Sequence, residues 1–241
     1  MHLNQKFKKL LHILAVGSYR NALWASGSAA AVEHSAFLRQ QRFDVILDVG
    51  ANRGQFSLVA RHIQPDAKIY AFEPLPTPAL TYQSIFEHDN MVKLFDVAVM
   101  PAQDKRVMNI SRRDDSSSLL PITATQTMQF PGTEAVSQIE VQCAPLSQLL
   151  HSEVIAGRIL LKIDVQGAEL EVLKSAQSLL SSVSIIYVEL SLVQFYGGQP
   201  LAAEVIQFLA EQGFHIDGIF NATVDYKFQK LLQADFSFIR R

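Results

Sequence analysis

The chain has 241 residues, 49% of them hydrophobic and 18% charged, with 21 basic against 23 acidic side chains for a net charge of −2. This supplies enough apolar material for a sizeable core, excludes a disordered chain, and gives no electrostatic ground for a nucleic-acid partner. The one cysteine, Cys143, excludes an internal disulfide and a multi-cysteine zinc site and points to a reducing, cytoplasmic setting.

At the N-terminus Lys6, Lys8 and Lys9 precede the apolar stretch Leu10 to Val16. Phe7, Leu10, Leu11 and Leu14 follow the spacing of one helix face, which reads as an amphipathic basic helix rather than a signal peptide. Such a helix packs on the core, forms a lid or rests on an anionic membrane surface. Residues 1–40 read as a helical extension, and 41–241 as the main domain. Whether the chain pairs as a homodimer stays open.

From residue 43 short apolar runs alternate with longer amphipathic segments. Phe43 to Val49 reads as a buried strand, Arg53 to Ile63 as a helix, Lys68 to Phe72 as a strand, Pro76 to His88 as a helix and Met91 to Val99 as a strand. The stretch 101–145 breaks this rhythm and reads as a loop-rich insertion, with β-like pieces at Arg106 to Ser111 and Ile139 to Cys143. Alternation then resumes with strand Arg158 to Val165, helix Ala168 to Leu180, strand Val183 to Leu190 and helix Leu201 to Gln212. Gly213 to Phe220 and Asp235 to Ile239 complete the strands. Alternating strands and helices imply βαβ units and a mainly parallel sheet with right-handed crossovers. Ligands of such sheets bind at the carboxyl ends of the strands, so chemistry is sought there.

The first such end carries Asp48-Val49-Gly50-Ala51-Asn52-Arg53-Gly54. Its glycines permit a tight turn and close approach, and free amides at the following helix start would favour a polar or anionic group. Asn52 stands where the dinucleotide fingerprint requires its second glycine. The pattern resembles instead the first motif of S-adenosylmethionine-dependent methyltransferases, whose loop wraps the amino-acid end of the cofactor. Asp48, Gly50, Asn52 and Gly54 are the candidate cofactor residues here.

Glu73 ends the second strand in Phe72-Glu73-Pro74, 19 residues beyond Gly54. A carboxylate so placed can accept both ribose hydroxyls of a nucleotide-like ligand, and Pro74 fixes the chain direction after it. Asp96, followed by Val97 and Ala98, takes an adenine-side position; Asp96 and Ala98 complete the cofactor set. The segment Lys162-Ile163-Asp164-Val165-Gln166-Gly167-Ala168-Glu169 puts Asp164 at the end of a strand beside the first. Tyr187-Val188-Glu189 puts Glu189 at the end of the next. Glu169 reads as a carboxylate that favours the helix dipole.

Together these motifs resemble the FkbM-type methyltransferases, from about residue 30 to the C-terminus. Asp114 to Leu119 and Phe195 to Gln199 are similar to features of one bacterial branch. The resemblance implies an α/β, Rossmann-like methyltransferase fold: a mainly parallel seven-stranded sheet with helices on both faces and a last antiparallel strand. It also implies S-adenosyl-L-methionine as donor and an oxygen acceptor on a sugar, glycan or other small molecule.

A hydroxyl is a weak nucleophile until its proton leaves, so a positioned base is expected. Asp164 is the first candidate, Glu189 the second and His34 the third. Asp115, Ser116, Ser117 and Tyr196 are expected on the acceptor side, Tyr196 by stacking on a sugar face. Two carboxylates near one acceptor also suit a divalent cation, but no metal site is assigned. The competing readings are a non-catalytic adenosyl-binding module and a nicotinamide-dependent oxidoreductase.

Overall fold

The computed structural model describes residues 3–153, 155–225 and 227–240, with side chains from residue 7 onward; of the N-terminal lysines, the Lys6 side chain therefore lies outside the described ones. The N-terminal region forms α1 (Leu3–Ala15), α2 (Gly17–Ser26), a 3₁₀ turn (Val32–His34) and α3 (Ser35–Leu38). There follow β1 (Val45–Val49), α4 (Gln55–Ile63), β2 (Lys68–Phe72), α5 (Pro76–Phe86) and β3 (Val92–Phe95). The middle section holds β4 (Ala98–Val99), β5 (Asp104–Ser111), α6 (Ala124–Gln129), β6 (Ala135–Ala144) and α7 (Leu146–Leu149). The remainder is β7 (Ile159–Ile163), α8 (Glu169–Ser175), β8 (Ile185–Ser191), α9 (Ala202–Glu211), β9 (Phe214–Asp225) and β10 (Lys230–Arg240).

Seven strands form one sheet in the order β3-β2-β1-β7-β8-β10-β9. The first five run parallel, and β10 enters antiparallel between β8 and β9. Chain order thus reverses on the two sides of β1, which opens a crevice above β1 and β7. Alternate side chains feed two cores, because side chains in a strand point to opposite faces. Val45, Leu47, Leu161 and Val188 pack with Val172 and Leu173 of α8 and Leu209 of α9. Ile46, Ile69, Leu160 and Tyr187 pack with Phe37 of α3 and Phe56 and Val59 of α4. Helices therefore cover both faces, and the strands read as unbroken apolar runs.

Three elements depart from the sequence reading. The expected strand Met91 to Val99 is cut at Asp96: β3 stays in the main sheet, while Ala98 of β4 pairs with Cys143 of β6. Strand-forming residues continue through the break, so the local pattern is the same whichever sheet receives them. The middle section is more regular than expected, since β5 and β6 pair from Asp104↔Cys143 to Ser111↔Ala135 in a second, three-stranded sheet. Much of β6 is exposed on both faces, which erases the alternation that marks a half-buried strand. The helix expected to reach Leu180 is regular only to Ser175, whose hydroxyl donates to the Val172 carbonyl (2.7 Å). Such back-bonding competes with the helix ladder.

The N-terminal helix forms, but Phe7, Leu10 and Leu11 stay exposed, and Ile13 is the residue that enters the core. The expected packing of that apolar face on the core is therefore absent.

Candidate active site

Register first decides what Asp48 does. It lies opposite Lys162 across β1 and β7, fully buried, with its carboxylate 2.9 Å from the Lys162 ammonium. Ser57 donates a second bond to it (2.6 Å). The Lys162 ammonium also donates to the Gly50 carbonyl (2.9 Å). Burial works against that charge, but Asp48 and then Asp164 outweigh it and hold the pKa above the ordinary lysine value. Asp48 thus lies beneath the turn and shapes it, while Lys162 reaches the wall of the cavity above.

The turn after β1 is tied down by its own neighbours. The amides of Gly50 and Ala51 donate to the Phe72 carbonyl (both 3.0 Å), and that of Gly54 to Ala51 (2.9 Å). Asn52 donates its amide to Glu73 (2.9 Å), and Arg53 donates its own to the Asn52 side chain (2.7 Å). The amides of residues 50–54 are thus engaged within the protein itself. Gly50 has φ +77°, and a Cβ there would fall 1.8 Å from the Asp164 carbonyl oxygen, so the turns after β1 and β7 touch at that point. Gly54 (φ +84°) faces the other way: a Cβ on it would meet the Phe86 ring at 2.9 Å. Its smallness serves packing on α5, and it does not border the cavity.

Gly50, Ala51, Asn52, Glu73, Pro74 and Ala98 border a cavity of about 460 Å³ over the strand ends. This size suits a small-molecule ligand. One wall is apolar, from Phe72, Leu75, Val97, Met100 and Met108. Glu73 is buried and accepts from the amides of Asn52 and Leu75 (2.8 Å for Leu75). Burial pushes its carboxyl up to about 7, against the pull of those amides. Asp96 is exposed and lies outside the lining, because the chain turns there to leave the sheet; Val97 and Ala98, which follow it, border the cavity.

A second, more polar hollow of about 220 Å³ adjoins the first and holds Ser116, Gln126, Phe130, Glu189 and Gln233. Arg113, Asp115, Asp164 and Gln166 border both. Asp115 is bound to Arg113 (2.8 Å) and accepts from Ser116 (3.1 Å). Asp164 accepts from the Gln166 amide group (2.6 Å). Glu189 accepts from Gln233 (2.8 Å) and faces Asp235 across the β8–β10 pair. Burial first, then the charges of Asp164 and Asp235, push its pKa well above the carboxylate range. Glu169 lies below, where its carboxylate accepts from the Gly167 amide (2.9 Å) and pins the turn after β7.

Tyr196 is placed differently from its expected role. Its ring is buried beside Gly167 and borders neither hollow. Its hydroxyl, 2.7 Å from the Gln166 side-chain oxygen and 3.1 Å from the Ser116 carbonyl, holds both residues at the polar hollow. Ser117 borders the large cavity and accepts from the Ser111 amide (3.1 Å). Tyr196→Phe is expected to cost about 0.5–1.5 kcal/mol, the usual worth of a lost hydrogen bond, and to raise the acceptor KM by releasing Gln166. Urea unfolding and steady-state kinetics check this; wild-type values in both would deny the residue that role.

His34 borders the large cavity from the N-terminal side. Its Nδ1 lies 3.0 Å from the Tyr187 hydroxyl and 3.4 Å from Asp235. Tyr187 donates to Asp235 (2.9 Å), as does Asn221 (2.7 Å). The Asn221 amide group also lies 3.2 Å from that His34 nitrogen, so His34, Tyr187, Asn221 and Asp235 form one network at the edge of the cavity. Sequence reasoning missed Lys162, Gln166 and the Arg53–Asp114 pair (2.8 Å), which ties the first turn to the loop before Ser116. Lys162 and Gln166 stood within a motif already noticed, but their partners lie on other strands and loops. Among the described residues no group of three or more His, Cys, Asp or Glu is arranged to hold a metal ion.

The profile of the methyltransferase FkbM domain matches residues 48–216. The 2-O-methyltransferase NoeI of Sinorhizobium fredii is 26% identical over 166 residues, covering 66% of this chain and 68% of NoeI. The hexuronic acid methyltransferase AglP of Haloferax volcanii is 30% identical over 147 residues, covering 61% of this chain and 56% of AglP. The 31-O-demethyl-FK506 methyltransferase FkbM of Streptomyces tacrolimicus is 29% identical, covering 56% of this chain and 60% of that protein. The chain thus spans little more than half the length of two of these relatives. A candidate O-methyltransferase from Klebsiella pneumoniae matches in fold with a TM-score of 0.53 at 14% identity, over 100% of both chains. The domain match, on a Rossmann-like sheet whose last strand runs antiparallel, makes this chain a member of the FkbM methyltransferase family.

Proposed function

We propose that this protein transfers a methyl group from S-adenosylmethionine to a hydroxyl of a sugar or other polyhydroxylated small molecule, with Asp164 as the base. One observation carries the reading: Asp164 stands on the ridge shared by a large, partly apolar cavity with a buried carboxylate and a smaller polar hollow. The lining suits the donor. Glu73 would accept the ribose hydroxyls, and Phe72, Leu75, Val97 and Met100 would enclose the purine. Asn52 and the turn after β1 would flank the amino-acid end. The bound donor supplies a methyl carbon on a positively charged sulfur, a leaving group that needs no protonation.

The chain's own task is then alignment and proton removal. Arg113, Gln126 and Gln233 offer hydrogen-bond donors to an acceptor in the polar hollow, and Phe130 offers an aromatic face. As the acceptor oxygen takes the methyl group, its proton passes to Asp164. Glu189 borders only the polar hollow, and burial with the neighbouring carboxylates favours its neutral form, which speaks against it as the base. Asp115 is already paired with Arg113, and His34 borders only the donor cavity. The 2-O position in the name of NoeI and the hexuronic acid in that of AglP support a sugar-like acceptor.

Calorimetry with S-adenosylhomocysteine tests the donor site. Glu73 must be ionised to accept two hydroxyls, and its pKa lies at about 7. Affinity should therefore rise about tenfold from pH 6 to pH 8, following the ionised fraction. Glu73→Gln should bind more weakly and lose that dependence. Affinity for NAD with none for S-adenosylhomocysteine would overturn the reading.

A further inference from the structure

We propose that α1 and α2 dock this protein on an anionic membrane surface. The contact runs through the exposed side chains of Phe7, Leu10, Leu11 and Trp24 and the basic groups around them. Phe7 is 60% exposed, Leu11 52% and Trp24 71%. Phe7, Leu10, Leu11 and half-buried Leu14 share one face of α1, while Ile13 anchors the helix in the core. Arg20 joins α2 to that face. Its guanidinium donates to the Leu14 carbonyl (2.9 Å) and lies 5.7 Å from the centre of the Trp24 ring.

Clustered exposed apolar side chains mark a site of association, and the charge around this cluster selects the partner. Residues 1–26 contain Lys6, Lys8, Lys9 and Arg20 and no acidic residue. The 21 basic and 23 acidic residues of the whole chain become 17 and 23 once that segment is set aside. A basic segment with exposed apolar side chains therefore lies against an acidic body. Leucines and phenylalanine on one face of α1, the exposed Lys8 next to them and Trp24 with Arg20 on α2 are the chemistry of a helix lying in the headgroup layer. A second copy of the chain fits less well. A two-fold contact would set the Lys8 region against itself, with no carboxylate in the segment to pair it.

No described helix is long and apolar enough to cross a membrane, so the contact is with the surface. Lys9, bound to Glu33 (2.8 Å), borders the large cavity, so the docking helix adjoins that cavity. That position suits an acceptor carried on a lipid; this last point rests on the methyl-transfer reading, whereas docking does not.

Co-sedimentation with vesicles of phosphatidylcholine alone, or of equal parts phosphatidylcholine and phosphatidylglycerol, tests docking without any measurement of methyl transfer. Binding to the anionic vesicles should be at least about tenfold tighter, from the several basic side chains at the surface, and should fall in high salt. Leu11→Asp and Lys8→Glu alter exposed positions. Each should keep the wild-type circular dichroism and melting temperature while losing about tenfold in vesicle affinity, by the same surface electrostatics and lost apolar insertion. Equal or absent binding to both vesicle types would overturn the proposal. So would a concentration-dependent dimer in analytical ultracentrifugation that Leu11→Asp dissociates.

Discussion

Replacing Asp164 by Asn should lower kcat by about 10²- to 10⁴-fold, the range that positioned general bases contribute. The substitution preserves shape and can still bind the Gln166 side chain, whose amide group now donates to the carboxylate. It cannot take up the acceptor's proton. The loss should therefore fall in kcat, with S-adenosylhomocysteine affinity and acceptor KM little altered. Glu189→Gln provides the internal contrast. Burial and neighbouring carboxylates already favour the neutral form of Glu189, so a neutral isostere should keep most of the activity. Were Asp164→Asn to retain kcat within about tenfold of wild type, below the range for a positioned base, Asp164 would be a binding group. A collapse of kcat in Glu189→Gln would transfer the role to that residue.

Lys162→Met should produce the largest loss of stability, about 3–5 kcal/mol, because it strands a buried carboxylate without its cation. Asp48 is wholly enclosed, and its remaining described side-chain partner would be Ser57. The same change removes the hydrogen bond from Lys162 to the Gly50 carbonyl, so the turn that borders the large cavity should loosen. Urea unfolding measures the first effect and S-adenosylhomocysteine titration the second. Adding Asp48→Asn should restore a large part of the stability, since the buried charge disappears with its partner. A single-variant loss below about 1 kcal/mol, the scale of an exposed pair, would show that water reaches the pair.

The features legible in the sequence are those governed by neighbours along the chain. Apolar runs and amphipathic spacing located most strands and helices, since periodicity reports which face of an element is buried. Strand-end placement put Glu73, Asp164, Gly50 and Asn52 at the large cavity, and Asp164, Asp115 and Glu189 at the polar hollow. The tertiary structure decided what depends on residues far apart. Asp48 turned inward because register sets it against Lys162, more than a hundred residues away. Gly54 answers to Phe86, and Tyr196 to Gln166 and the carbonyl of Ser116. Asp96 fell outside the cavity because the chain there changes sheets to meet β6. The polar ribbon of β5 and β6 left little trace in periodicity, because pairing across it rests on backbone hydrogen bonds that any side chain permits. Composition and spacing thus specify which segments seek burial, whereas the partner each side chain meets is decided only when distant strands come into register.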